Sequence, residues 1–383
     1  MPARPVYLDH NATTPVDPDV LAEMLPFFDH HYGNASSGHG FGRDARAAVE
    51  RARSRVAALL GASPLEIVFT SGGSEANNLA LKGISFGRPP GRDHLITTEV
   101  EHPSVLNCVR FLERQGLRVT YLPVDGYGLV DPDLVRRSIT PQTFLVSVMH
   151  ANNEVGTILP IREIAAVAHQ HGALLHSDAT QTVGKVRVKV RELGAGLLSL
   201  SGHKFYAPKG VGALYVRPGV KLEPLIHGSG HEQGRRAGTE NVPGAVALGR
   251  AAELAAARYD ADGQRCAQLR RRLHERLSEA LDGLELNGHP DKRLPNTLNV
   301  SFPNTDAAEL LAATPAVAAS TASACRDRDR TGSYVLRAMG LAPERRRGAV
   351  RLSLGRHTTE EDIDRAAAAL VAGVKAVRTA GGR

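Results

Sequence analysis

Lys204 closes the run Ser201-Gly202-His203-Lys204, which follows the apolar stretch Leu197-Leu198-Ser199-Leu200. Such a stretch reads as a buried strand, and it would deliver a primary amine to the strand's end. There the amine could capture an aldehyde, Ser201 and His203 could donate to a phosphate, and Gly202 would permit close backbone approach. Alone, a lysine after a strand reads more simply as a surface residue, so the assignment depends on partners. Asp178 follows another apolar run, Ala173 to His176, and its carboxylate could keep a pyridine nitrogen protonated. A helix N-cap is the competing reading of Asp178, though it leaves the neighbouring Gln181 without a role. Gly72-Gly73-Ser74-Glu75 opens a helix directly after a strand, and its free amides and positive dipole end would favour a phosphate. His102 could stack on an aromatic ring and move protons near neutral pH, although a lone histidine is more often structural.

Together these residues meet the needs of one cofactor. A carbanion at an amino acid's α-carbon forms only with an electron sink, which pyridoxal phosphate provides. The protein must then supply a lysine, an acid at the ring nitrogen, a phosphate cradle and a base, and each has a candidate here. No metal site is expected. The 16 histidines include no His-Glu-x-x-His or paired-cysteine spacing.

The elements that would carry these groups alternate between about residues 42 and 216. Helices are expected over 43–60 (ended by Gly61), 74–81, 104–114 and 161–170, and strands over 66–70, 95–97, 119–123, 144–149 and 173–176. Strands alternating with helices imply a mainly parallel sheet, with ligands at its carboxyl edge. The polar clusters fall directly after the apolar runs, where that rule wants them. A second region has a long helix over 242–268, strands over 296–302 and 349–354, and a final helix over 359–377. The expected fold is therefore α/β: a large domain over 15–255 with a mainly parallel mixed sheet covered by helices, and a smaller α+β domain from 1–14 and 256–383.

The formal net charge of +7 invites a nucleic-acid reading. The arginines, however, lie on helix patterns interspersed with acids, and no aromatic-rich RNA-binding motif occurs. A solvated basic face, with an acidic protein partner second, is preferred to direct nucleic-acid binding. No apolar run is long enough to span a bilayer, and Met1 to Thr14 lacks the pattern of a secretory signal, so a cytoplasmic location is expected. Three cysteines do not make a disulfide framework. Cys108 and Cys266 sit at helical spacing among apolar residues and read as buried. Cys325 sits among small residues before Arg326-Asp327-Arg328-Asp329-Arg330, with no apolar period to explain it.

Several stretches, in the same order, resemble the cysteine desulfurases of the class V aminotransferase group, which have the pyridoxal-phosphate-dependent transferase fold type I. They are residues 7–15 (Tyr-Leu-Asp-His-Asn-Ala-Thr-Thr-Pro), 70–75 (Thr-Ser-Gly-Gly-Ser-Glu), 150–156 (His-Ala-Asn-Asn-Glu-Val-Gly), 201–204, 236–241 (Arg-Ala-Gly-Thr-Glu-Asn) and 350–355 (Val-Arg-Leu-Ser-Leu-Gly). The resemblance implies that Lys204 holds the cofactor and then serves as acid and base. It pairs Asp178 with the ring nitrogen and Gln181 with the ring hydroxyl, and stacks His102 on the ring. Gly73, Ser74, Ser201 and His203 would cradle the phosphate, joined by Thr239 from the other subunit of a homodimer. Arg351 would fork onto the substrate carboxylate, helped by Asn153, and Cys325 would take sulfur from L-cysteine as a persulfide for a protein acceptor docking nearby. The run Ser320-Thr321-Ala322-Ser323-Ala324-Cys325 departs from the family's usual pattern by Ala322 in place of Gly, which narrows access to positive φ. The same scaffold serves selenocysteine lyases, and an aminotransferase with Cys325 incidental is a further alternative.

Overall fold

The computed structural model describes residues 4–321 and 332–381. Its centre is a seven-stranded sheet. The strands are β1 (Ile67–Thr70), β2 (His94–Thr98), β3 (Arg118–Leu122), β4 (Thr143–Ser147), β5 (Leu174–Asp178), β6 (Leu197–Ser201) and β7 (Gly212–Val216). Their order is β1-β7-β6-β5-β4-β2-β3. From β6 to β3 every pairing is parallel, while β7 is antiparallel to both its neighbours. The sheet is thus mixed and mainly parallel, as expected. β4, β6 and β7 are buried at every position, which matches their lack of polar alternation.

Four helices start at the carboxyl edge or cover the sheet. α1 (Gly40–Leu60) buries Ala45, Val49, Ala52 and Val56 along one stripe and ends at Gly61, whose φ of 66° is the left-handed conformation a helix terminus needs. α2 (Gly73–Phe86) begins three residues after β1. α3 (Pro103–Arg114) has proline in its first turn and is capped by the His102 side chain, which accepts from the Ser104 amide. It buries Val105, Leu106, Cys108, Val109 and Leu112, each contributing about 1.5–3 kcal/mol if fully removed from water. α4 (Ile161–Gln170) packs on β5.

A second sheet has four strands, β8 (Glu285–Leu286), β9 (Thr297–Ser301), β10 (Ser320–Thr321) and β11 (Ala349–Ser353), in the order β10-β11-β9-β8. One helix serves both cores. α5 (Val242–Ala280) runs 39 residues, past the end expected at 268. Its first part, Val242 to Ala255, packs in the core with α1. Its last part, Leu269, Leu273 and Leu277, packs in the core of the second sheet with α7 (Glu360–Gly381). Between the last two strands lies the short α6 (Tyr334–Ala338). No helix among the described residues is long and apolar enough to cross a membrane.

Candidate active site

The ends of β1, β5 and β6 place Ser74, Asp178, Ser201, His203 and Lys204 around one cavity of about 310 Å³. Asn11, Gly73, Asn77, His102, Asn153, Thr180, Gln181 and Arg351 complete much of its wall. Cys325 falls outside the described residues. The chain leaves β10 with Ser320 paired to Arg351, and Tyr334 of α6 lines the cavity, so both described flanks of the Cys325 segment reach the site. Thr239 is exposed and does not line the cavity.

Lys204 Nζ donates to the carbonyls of Asn11 at 2.6 Å and Ala12 at 2.8 Å. Desolvation, helped by the nearby Arg351 guanidinium, lowers its pKa to about 8, against the pull of Asp178 and Asp9. A neutral amine is the form that attacks an aldehyde. The expected result is that apoprotein takes up pyridoxal phosphate faster as pH rises toward 8 and levels off above it, followed by absorbance. A rate unchanged through that range would contradict the environment assigned to Lys204.

Asp178, buried at the end of β5, accepts from Asn77 Nδ2 at 2.8 Å and from the Thr180 amide at 2.9 Å. No helix follows Asp178, so the bond to the Thr180 amide closes a turn rather than capping a helix, and the second oxygen faces Asn77. His102 Nδ1 lies 2.8 Å from Ser104 Oγ. Burial and then Lys204 lower its pKa, opposed by Asp178. His203 Nδ1 lies 3.1 Å from Thr13 Oγ1, and burial plus Lys204, Lys209 and Lys185 lower its pKa to about 4.

The residues present fit pyridoxal phosphate. Gly73 and Ser74, at the start of α2, line the cavity, and a Cβ on Gly73 would come within 2.9 Å of Thr180 Oγ1, so only glycine keeps that space for a ligand. Thr180 Oγ1 and Asn153 Oδ1 are buried in the cavity wall with no partner among the described residues, which a polar ligand would relieve. Arg351 is buried, with one terminal nitrogen 2.8 Å from Asp9 Oδ1, the other 3.0 Å from the Asn153 carbonyl, and Nε unpartnered among the described residues. Its fork is therefore engaged rather than open.

Sequence reasoning missed Asn11, Asn77 and Thr180. Asn11 lies in the 7–15 stretch, but nothing local shows that its carbonyl receives Lys204. Asn77 sits one turn after Ser74 on α2, a spacing that places both on one face, and this could have found it. The loop bearing Thr239 is tied to the same helix start, for Arg236 Nε donates to Glu75 Oε1 at 2.9 Å. A second tie is buried: Arg53 on α1 bonds both oxygens of Glu232, at 2.6 and 2.8 Å.

Comparison with known proteins finds the family model described as aminotransferase class-V matching residues 6–366. The chain is 46% identical over 363 residues to the cysteine desulfurase IscS of Dictyoglomus turgidum, covering 94% of this chain and 92% of that one. It is 48% identical over 363 residues to the cysteine desulfurase IscS of Anaeromyxobacter dehalogenans, covering 94% and 90%. Among solved structures, a NifS-like protein superposes with a TM-score of 0.91 at 39% identity, covering 96% of this chain and 98% of that one. SspA in complex with cysteine superposes at 0.81 with 39% identity, covering 92% and 99%.

Proposed function

The chain belongs to the class-V aminotransferase family, among its cysteine desulfurases, and from that premise we propose how its residues divide the work. It is a pyridoxal-phosphate-dependent cysteine desulfurase of fold type I. The observation that carries the assignment of roles is the convergence of Lys204, Asp178, His102, Ser201 and Arg351 on one cavity that both flanks of the Cys325 segment reach.

When bound, pyridoxal phosphate supplies the electron sink that makes bonds at a cysteine's α- and β-carbons breakable. Lys204 would hold it through its amine, Asp178 would keep its ring nitrogen protonated, and Gln181 would donate to its ring oxygen. Gly73, Ser74, Ser201 and His203 would hold the phosphate at the start of α2. Arg351, with Asn153, orients the carboxylate of L-cysteine by giving up part of its contact with Asp9 and the Asn153 carbonyl. The Lys204 amine would take the proton from the substrate's α-carbon and later return one, and His102 would cover the site and move protons there. The Cys325 thiolate attacks the substrate sulfur. One sulfur–sulfur bond forms, the substrate's carbon–sulfur bond breaks with its electrons going to carbon, and that carbon takes up a proton. The products are L-alanine and a persulfide on Cys325, so atoms and electrons balance without an external oxidant.

The protein acts as a homodimer, in which Thr239 of one subunit reaches the phosphate held by the other. Its own exposed position and the exposed Leu21, Leu25, Phe28, Tyr32 and Phe41 support this, since a clustered apolar surface marks a contact site. A protein acceptor docks beside the Cys325 segment and removes the sulfur, and iron–sulfur assembly is one process that would use it. A cytoplasmic location suits a persulfide and the unpaired thiols of Cys108 and Cys266, which a reducing compartment preserves. Residues 15–255 form the large domain and 1–14 with 256–383 the small one, with α5 joining them. The substrate choice is tested by comparing turnover of L-cysteine and selenocysteine. Alanine from L-cysteine, with persulfide retained on the protein, is expected, and turnover of selenocysteine alone would contradict the reading.

A further inference from the structure

Lys185 has no part in the chemistry above, yet it lies against the groups that do. Its Nζ donates to Gln181 Oε1 at 2.7 Å and to Asn11 Oδ1 at 3.1 Å. Gln181 Nε2 in turn donates to the Asn11 carbonyl at 3.0 Å. That carbonyl is also the one that receives Lys204 Nζ at 2.6 Å. Asn11 itself is buried and pinned from its other side, with Oδ1 accepting from Asn296 Nδ2 at 3.1 Å and Nδ2 donating to Thr297 Oγ1 at 2.8 Å. Two lysines therefore hold one asparagine, and both line a small cavity of about 30 Å³ behind the site.

This is costly company for an amine. Desolvation, then Lys204 and Arg351, push the Lys185 pKa well below its ordinary value, with Cys266 on α5 acting the other way. His10, Asp262 and Arg356 line the same small cavity. His203 and His10 both feel the Lys185 charge as a repulsion. A neutral amine still has two N–H groups, enough for both bonds, so the arrangement holds without the charge.

We propose that Lys185 is a positioning residue that locks the Gln181 amide, and with it Asn11, against Lys204, so that Gln181 offers N–H and not its oxygen to the cofactor. The proposal rests on the reading of Lys204 and Gln181 as cofactor ligands. With Oε1 taken by Lys185, the amide has a defined sense. Without Lys185 only the bond from Gln181 Nε2 to the Asn11 carbonyl still favours that sense, and a turned-over amide would set its oxygen against the ring oxygen, a repulsive contact.

The test is Lys185→Met, which keeps the unbranched apolar stem and removes the donor, read by the absorbance titration of the bound cofactor. A ring oxygen that loses its donor holds negative charge less well, so the proton shared with the Lys204 nitrogen is kept to higher pH. The midpoint should rise by roughly one pH unit. In a Gln181→Ala background the same substitution should add no shift, because the amide it orients is gone. An unchanged midpoint in Lys185→Met, or a full shift that persists in the Gln181→Ala background, overturns the proposal. Lys185→Gln, one bond shorter and unable to reach both acceptors, should shift in the same direction, and an unchanged midpoint there counts against it equally. Failure of the underlying reading looks different: the wild-type protein would then carry no cofactor absorbance, or Gln181→Ala alone would leave the midpoint unchanged.

Discussion

Lys204→Ala lowers alanine formation from L-cysteine by roughly 10³-fold or more and removes the absorbance of covalently held cofactor. The size of the effect follows from two losses at one atom. The amine that anchors the cofactor disappears, and so does the base that moves the proton at the substrate's α-carbon. No neighbouring amine replaces it. Lys185 points its nitrogen at Gln181 and Asn11, behind the site, and His102 has its Nδ1 committed to Ser104. The phosphate cradle at Gly73 and Ser201 is untouched, so the variant should still bind the cofactor reversibly. The measurement is the pair of alanine rate and spectrum, and a variant that kept both would remove Lys204 from the centre of the mechanism.

Cys325→Ala abolishes the protein persulfide and lowers alanine formation from L-cysteine by roughly 10²-fold or more, while the cofactor absorbance stays as in wild type. The other cysteines cannot substitute. Cys108 is 4% exposed in the core under α3, and burial pushes its thiol up to about 11. At neutral pH only about 10⁻⁴ of such a thiol is thiolate, the form that attacks sulfur. Cys266 is equally buried and its thiol is likewise raised by desolvation. Alanine production that survived Cys325→Ala unchanged would mean that sulfur leaves by another route.

Much of this was legible in the sequence because the sheet's strands are buried on both faces. Phe144-Leu145-Val146 and Ala173-Leu174-Leu175 announce themselves as apolar runs, and a carboxyl edge then collects whatever polar residues follow them. The direction of β7 was not legible, since an antiparallel strand between parallel ones has the same apolar content as its neighbours. The length of α5 was misjudged because its buried stripe changes partner midway, from α1 to α7, and the periodic pattern weakens where one core ends and the other begins. The polar network behind Lys204 was invisible for a different reason. Asn11 lies some 170 residues before Gln181 and Lys185, and hydrogen bonds made across that distance leave no period to read. A lysine four residues after a glutamine looks like a solvated surface pair. Here the same spacing, on a turn rather than an exposed helix, aims Lys185 inward. Arg351 shows the limit from the other side: the sequence placed it on a strand beside the site, but only the fold shows Asp9 already holding its fork.

The central claim is that sulfur passes from L-cysteine to Cys325, and the mass of the Cys325-containing peptide after a single exposure to L-cysteine tests it most directly. One added sulfur atom on that peptide, removed by reductant and matched by one alanine released, is the predicted result. An unmodified Cys325 peptide alongside stoichiometric alanine would contradict it.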